Sequence, residues 1–235
     1  SYRERVRQVP GVREVGFGNW FAGVYIDEKN FFPRMCVSDN FFSLYPEFVV
    51  SPEQLRDYQR QRNSAIAGKK IVDQYGWKVG DAITIKGNIY PGDWQFVLRG
   101  VYRGATPTTD ETQFFFRWDY LDETLRKTNP GRAGYVGWYI VQIDDPAQSP
   151  VISAAVDAMF KNSWAETLTE TEKAFQLGFV AMTEAIVTGI QIVSFVVIAV
   201  ILMVLANTMV MTARERTAEY ATLKTLGFGR RFITG

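Results

Sequence analysis

From Ile186 to Met211 the chain reads IVTGIQIVSFVVIAVILMVLANTMVM, 26 residues without an ionisable side chain. A helix needs about 20 such residues to cross the hydrocarbon core of a bilayer. A helix at the surface of a soluble protein keeps a polar stripe, whereas this run is apolar all round. Its few polar members, Thr188, Gln191, Ser194, Asn207 and Thr208, are of the kind that hydrogen-bond within or between membrane helices. The run is expected to be a transmembrane helix, which makes a membrane protein of a chain whose average hydropathy looks soluble.

Charge orients it. From Ile186 onward there are five basic residues, Arg214, Arg216, Lys224, Arg230 and Arg231, against two acidic ones; the other 21 of 26 basic and 23 of 25 acidic residues precede it. Positive charge gathers on the cytoplasmic side, so the C-terminal end is expected in the cytoplasm and the large preceding region outside it. No region is basic enough, or interleaves aromatics with Lys and Arg, to suggest a nucleic-acid partner.

Upstream of the span, Phe175, Phe179, Met182 and Ile186 recur at helical spacing, so the helix is expected to continue outward as a stalk. In SWAETLTETE, Thr167 or Thr169 can cap it, with Glu170 and Glu172 in the first turn. One rod of roughly 40 residues follows, long enough to carry movement across the bilayer. At the other end, SYRERVRQ reads as the last turns of an upstream helix, broken by Pro10-Gly11. It has no apolar core of a signal peptide. With RRFITG stopping in mid-element, the sequence reads as a piece of a longer chain.

The outer region mixes both secondary-structure periods. Strands are expected in REVGFGNWFAGVYI, FPRMCV, EFVV, SAIA, DAITIKG, WQFVLRGVYRG, TQFFFRW and GWYIVQI. Helices are expected in SPEQLRDYQRQR, capped by Ser51 with Pro52 first, in KKIVDQYG, stopped by Gly76, in DYLDETLRKT and in PAQSPVISAAVDAMFKNS. A Pro-Gly-Asp turn within VGDAITIKGNIYPGDWQFVLRGVY suggests a hairpin or small barrel. The fold class is therefore α+β, with a β-rich lobe and two ends that return to the membrane close together.

Catalytic chemistry finds no foothold. The chain has no histidine, which removes Ser-His-Asp, Cys-His and His-metal chemistry from its own residues. The sole cysteine, Cys36, sits in a strand-like stretch and reads as a small buried hydrophobe. AIAGKKIV approximates a phosphate loop, but Asn63 stands where the first glycine belongs and Lys70 where Ser or Thr belongs, so a strand-to-helix turn is expected. GFGNW has too few glycines for a dinucleotide fingerprint. Asp144-Asp145-Pro146 follows a strand and precedes a helix, so a cap is expected there rather than an acid pair. No metal, cofactor or catalytic residue is expected. The aromatic stretches GNWFAGVYIDEKNFF and DETQFFFRWDY can fill a core or line an apolar groove for a lipid-like or peptide ligand.

After the span comes TARERTAEYATLKTLGFGRRFI. As a helix it has a narrow apolar face of Ala213, Thr217, Tyr220, Leu223 and Leu226, with Gly227 and Gly229 to stop it. A segment that only binds anionic lipid does not account for its acidic residues and paired glycines. ERTAEYATLKTLGFGRRFI resembles the cytoplasmic segment after the second transmembrane helix of FtsX/MacB-type ABC transporter permeases, the matching positions being Glu215, Arg216, Thr217, Glu219, Leu226, Gly227, Arg231 and Ile233. VPGVREVGF, AIAGKKIVDQYGWKVGDAITIKG and GWYIVQIDDPAQSPVISAAVDAMF resemble that family's periplasmic core domain.

The resemblance implies a permease subunit, homo- or heterodimeric, that works with an ABC-type ATPase. Residues 1–10 would end an upstream stalk helix, 11–165 form the periplasmic core with its β-rich lobe at about 50–117, 166–185 the stalk, 186–211 the span and 212–235 the coupling segment. The ATPase-coupling residues would be Glu215, Arg216, Thr217, Glu219, Tyr220, Leu226, Gly227, Arg230 and Arg231. The resemblance also implies a place in the bacterial inner membrane with the main domain in the periplasm, and membrane lipid and a periplasmic partner or lipoprotein cargo as further partners. A sensor that relays an external ligand through the long helix, without an ATPase, is the alternative.

Overall fold

The computed structural model describes residues 1–227, with Phe179 described by its backbone alone. The chain divides into two units, Ser1–Thr169 and Glu170–Gly235. The first is a mixed α+β unit built on an eight-stranded sheet, and the second is dominated by one long helix.

Strands β1 (Val12–Trp20), β2 (Arg34–Val37), β3 (Phe48–Val49), β4 (Ser64–Gly68), β5 (Ala82–Gly87), β6 (Gly92–Gly104), β7 (Phe114–Arg117) and β8 (Trp138–Ile143) form that sheet. Their order is β3-β6-β4-β7-β2-β1-β8, with β5 also on β6. All eight overlap stretches that the sequence marks as strand-like, although β1 ends at Trp20 and not at Ile26. Strands β5 and β6 make the expected hairpin, from Ala82↔Val97 to Gly87↔Gly92. Strands β4 to β7, from the stretch read as a β-rich lobe, share one sheet with β1, β2 and β8. The pairs β2/β7 and β4/β6 are parallel and the rest antiparallel.

Strand β7 shows why the sheet carries packed layers on both faces. Successive side chains of a strand point to opposite sides. Phe114 and Phe116 join the larger core with Phe96, Trp94 and Leu121, while Phe115 enters a second core with Phe41, Phe42 and Tyr58. Strand β4 splits in the same way, Ala65 and Ala67 against Ile66. An aromatic run that is buried on both faces has no side left to line an open groove. Phe21 and Phe32 are buried too, so these stretches chiefly build cores.

The helices are α1 (Tyr2–Arg7), α2 (Phe41–Leu44), α3 (Pro52–Arg60), α4 (Lys69–Tyr75), α5 (Trp118–Thr128) and α6 (Ser149–Phe160). Ser51 caps α3 by accepting from the Gln54 N–H at 3.3 Å. Gly76 ends α4 in the left-handed region, φ 66°, as only a residue without Cβ does cheaply. Helix α5 takes Arg117 as its N-cap, with no side-chain capping bond. Asp145 accepts from the Ala147 N–H at 2.9 Å and caps the short 3-10 turn Pro146–Gln148, the cap that the sequence suggests there. The stretch AIAGKKIV is the β4-to-α4 turn. Cys36 is fully buried, with its thiol directed at the Asn19 carbonyl, and burial pushes its pKa up.

Candidate coupling surface

Helix α7 runs without a break over Glu172–Thr225, 54 residues, about 80 Å at the α-helical rise. Among the described residues it is the helix long and apolar enough to cross a membrane. Large apolar side chains such as Phe195 and Met203 are more than 70 % exposed along it. Two hydroxyls along this stretch bond back to the helix itself: Ser194 donates to the Ile190 carbonyl at 2.8 Å and Thr208 to that of Val204 at 2.9 Å. This back-bonding suits a helix that finds no water along its middle.

The helix starts later than its sequence suggests. Thr171 is the cap, accepting from the Ala174 N–H at 3.1 Å. Thr167 and Thr169 are drawn away by the Asp157 carboxylate on α6, which takes both of their hydroxyls. At the other end the span does not hand over to a separate helix. The residues TARERTAEYATLKT are mostly good helix formers with no Gly or Pro, so the turn at Met211–Thr212 simply continues. The helix stops where the first glycine allows it: Leu226 and Gly227 donate to the Thr222 and Lys224 carbonyls, each at 3.2 Å, and Gly227 takes φ 88°.

Glu215 and Glu219 lie one turn apart on one face, with Arg216 and Tyr220 on the adjoining face. Arg216 lines a shallow groove with Thr208, Met209, Thr212 and Ala213. Thr217 donates to the Ala213 carbonyl at 2.6 Å. No opposite charges stand four residues apart here: four on from Glu215 is Glu219, from Arg216 is Tyr220 and from Glu219 is Leu223, which leaves Arg216 and Glu219, three apart, as the one pair at helical spacing. Among the described residues, none of Arg214, Glu215, Arg216, Glu219 or Lys224 forms an ion pair. Leu226 is exposed next to them. The tip therefore presents charges of both signs beside apolar positions. Arg230 and Arg231, with Gly229, lie outside the described residues.

Within the first unit, the two ends meet on α6. Val6 and Val9 of α1 and the stretch after it pack with Ile152, Val156 and Phe160. The Tyr2 hydroxyl donates to Ser163 Oγ at 3.2 Å, just past the end of α6. The expected proximity of the two ends is thus a direct contact. Sequence reasoning passed over Asp157, since its partners lie ten and twelve residues downstream in an irregular segment and leave no periodic signal.

No family model and no curated protein matches the chain. Solved structures do. The chain is similar to the extracellular domain of the noncanonic ABC-type transporter YknZ from Gram-positive bacteria, with a TM-score of 0.50 and 13% identity over 71% of this chain and 84% of that one. It is also similar to the periplasmic region of MacB from Actinobacillus actinomycetemcomitans, with a TM-score of 0.51 and 12% identity over 75% of this chain and 80% of that one. The chain has the MacB periplasmic fold. At such identity the likeness is one of backbone architecture, and the MacB-type sheet and flanking helices are what the three chains hold in common.

Proposed function

We propose that this chain is a permease subunit of an FtsX/MacB-type ABC transporter, embedded in the bacterial inner membrane, with its MacB-type unit outside the cytoplasm. Residues 186–211 cross the bilayer, and residues 212–227 dock on a partner ATPase through Glu215, Arg216, Thr217, Glu219, Tyr220, Leu226 and Gly227, and Arg230 and Arg231 belong to the same set of coupling residues. A second permease subunit and membrane lipid cover the apolar flanks of α7. The work done is mechanotransmission: ATP hydrolysis in the cytoplasm moves the outer unit, which acts on a lipoprotein, lipid, peptide or drug or on a periplasmic partner.

The observation that carries this reading is the continuity of α7. A single helix holds the unpaired charged tip, the uncharged span and the outward extension to Thr171, so displacement at one end has no intervening joint in which to dissipate. A sensor needs the rod but not the matching cytoplasmic motif.

The test is to purify the complete protein in mild detergent and identify what accompanies it. An ABC-type ATPase subunit is expected, with hydrolysis that depends on the permease. Gly227→Trp, and the exchange of Glu215 and Arg216 for residues of opposite charge, should abolish that dependence while the outer unit stays folded. Absence of any ATPase, in a full chain that itself contains none, would return the reading to a sensor.

A further inference from the structure

Between the end of α6 at Phe160 and the start of α7 at Glu172 lie eleven residues, 161–171, without helix or strand beyond single turns. Such a tether behaves as a spring. A flexible segment wanders over roughly 18 Å when eleven residues long, far more than the few ångströms by which packed helices shift. Movement can pass through this segment only if it is held.

Besides the contact of Trp164 with the Tyr135 ring, 5.6 Å between centroids, and the turn closed by the Asn162 N–H on Glu166, it is held by hydrogen bonds to two other elements. The first is Tyr2, whose hydroxyl donates to Ser163 Oγ and accepts, at 3.4 Å, from the Ala165 N–H. The second is Asp157, on the third turn of α6. Its Oδ1 accepts from the Thr167 hydroxyl at 2.9 Å and the Thr169 hydroxyl at 2.7 Å, and its Oδ2 from the Thr169 N–H at 3.1 Å. The alternation is visible in exposure: Thr167 and Thr169 turn to the carboxylate and Leu168 between them is 83 % exposed. Helix α6 is itself anchored, with Ile152, Val156 and Phe160 buried against α1 and β1. After Thr169 only residues 170 and 171 precede α7, a reach of roughly 8 Å; without the Asp157 bonds the free stretch grows to 166–171, roughly 13 Å.

We infer that Asp157 is the positioning residue of the force path, fastening the outgoing chain to α6 so that the α6–α1 layer follows α7 instead of being buffered from it. This rests on the mechanotransmission reading above. The carboxylate suits the task because it accepts several short charge-assisted bonds at once and orders a polar segment with no apolar core of its own.

The experiment uses the full-length permease with its co-purified ATPase in lipid nanodiscs, read by hydrogen exchange with and without ATP and vanadate. In the wild type, vanadate trapping should change exchange in α6 and β1. Asp157→Ala should lose most of that change while keeping ATP hydrolysis, and should speed exchange of the Thr169 amide by about tenfold, as the loss of one net hydrogen bond does. Asp157→Asn, which keeps an Oδ1 able to take both hydroxyls, should recover much of the response. Thr169→Val serves as the milder lesion should Asp157→Ala fail to fold, with the same loss of response expected. A nucleotide response in α6 that survives Asp157→Ala or Thr169→Val overturns the joint and leaves coupling intact. A wild type that ignores nucleotide, with ATPase bound, overturns the coupling reading and this inference with it.

Discussion

Tyr2 lies flat on Phe160, ring centroids 4.2 Å apart and planes 10° from parallel, so the first helix of the outer unit is stacked on the residue at which its last helix ends. Arg5 adds its guanidinium over the same ring at 4.7 Å and donates to the Met159 carbonyl at 3.0 Å. Phe160 thus receives an aromatic face, a cation and the apolar side chains of Val6 and Ile152.

Phe160 is fully buried, and Phe160→Ala is expected to cost the outer unit about 3–5 kcal/mol, the range for large-to-small changes at aromatic core positions. Tyr2→Ala should cost less, since Tyr2 is only half-buried. The double variant should fall short of the sum by about 0.5–1.5 kcal/mol, the worth of an aromatic pair. Urea unfolding of the purified protein, followed by the fluorescence of the outer-unit tryptophans, measures all three. Strict additivity would show that the stack contributes nothing of its own.

Gly68 ends β4 with extended backbone, and a Cβ there would stand 2.0 Å from the backbone oxygen of Glu111. A backbone oxygen cannot swing aside as a side chain can. Since β4 is buried along its whole length between β6 and β7, the clash reaches the middle of the sheet. Gly68→Ala should therefore cost about 3 kcal/mol or more, the upper range for overpacking. A urea midpoint unchanged by this substitution would mean that the segment from Asp110 to Gln113 yields freely.

Most of the outer fold was legible because its signals are local. DAITIKG carries a period of two, FFF is a short continuous apolar run of the kind that fills a strand buried on both faces, Ser51-Pro52 marks a helix start and Gly76 a stop. The strand order was not legible, because the parallel pairings β2/β7 and β4/β6 join residues far apart in sequence and no local pattern encodes them. The four-residue helix α2 is shorter than any periodic window. At the tip of α7, the composition and the glycine stop could be read directly, whereas the spacing of Arg216 and Glu219, three apart, permits an ion pair that the described residues do not form. The start of α7 could not, because the choice among Thr167, Thr169 and Thr171 is decided by Asp157 on another helix.

Ile26 occupies the left-handed region, φ 60°, inside a tight turn closed by the Asp27 N–H on the Tyr25 carbonyl at 2.6 Å, and its side chain is 83 % exposed. A β-branched residue is strained there, and exposure gives it no packing in return. Ile26→Gly removes a conformational cost of about 1–2 kcal/mol and adds a smaller one from the freedom glycine has in the unfolded chain. A net gain in stability of about 0.5–1 kcal/mol is expected. Thermal unfolding of the two proteins under one condition decides it, and a lower midpoint for the glycine variant would show that the loop tolerates Ile26 without strain.

Two carboxylates set an acid limit on the outer unit. For Asp110, burial favours protonation but is outweighed by the Thr112 hydroxyl at 2.6 Å, the Thr112 N–H at 2.9 Å, the Gln113 amide and the charge of Lys70, so its pKa falls below the ordinary 3.8. For Asp157, burial is likewise outweighed by the Thr169 hydroxyl and N–H and the Thr167 hydroxyl, and its pKa is also lowered. A carboxyl whose folded pKa lies below its unfolded one binds protons more readily in the unfolded chain. Its contribution is therefore fully present above the unfolded value near 3.8, and it is lost as the pH falls through the lower folded pKa. Stability from these groups should be flat from neutrality to about pH 5 and decline below pH 4. Asp110→Asn and Asp157→Asn should each lower the urea midpoint at neutral pH and flatten its fall with acid. A variant that is weaker at pH 7 yet keeps the full wild-type acid slope would show that the removed carboxylate was not among the groups that titrate with unfolding.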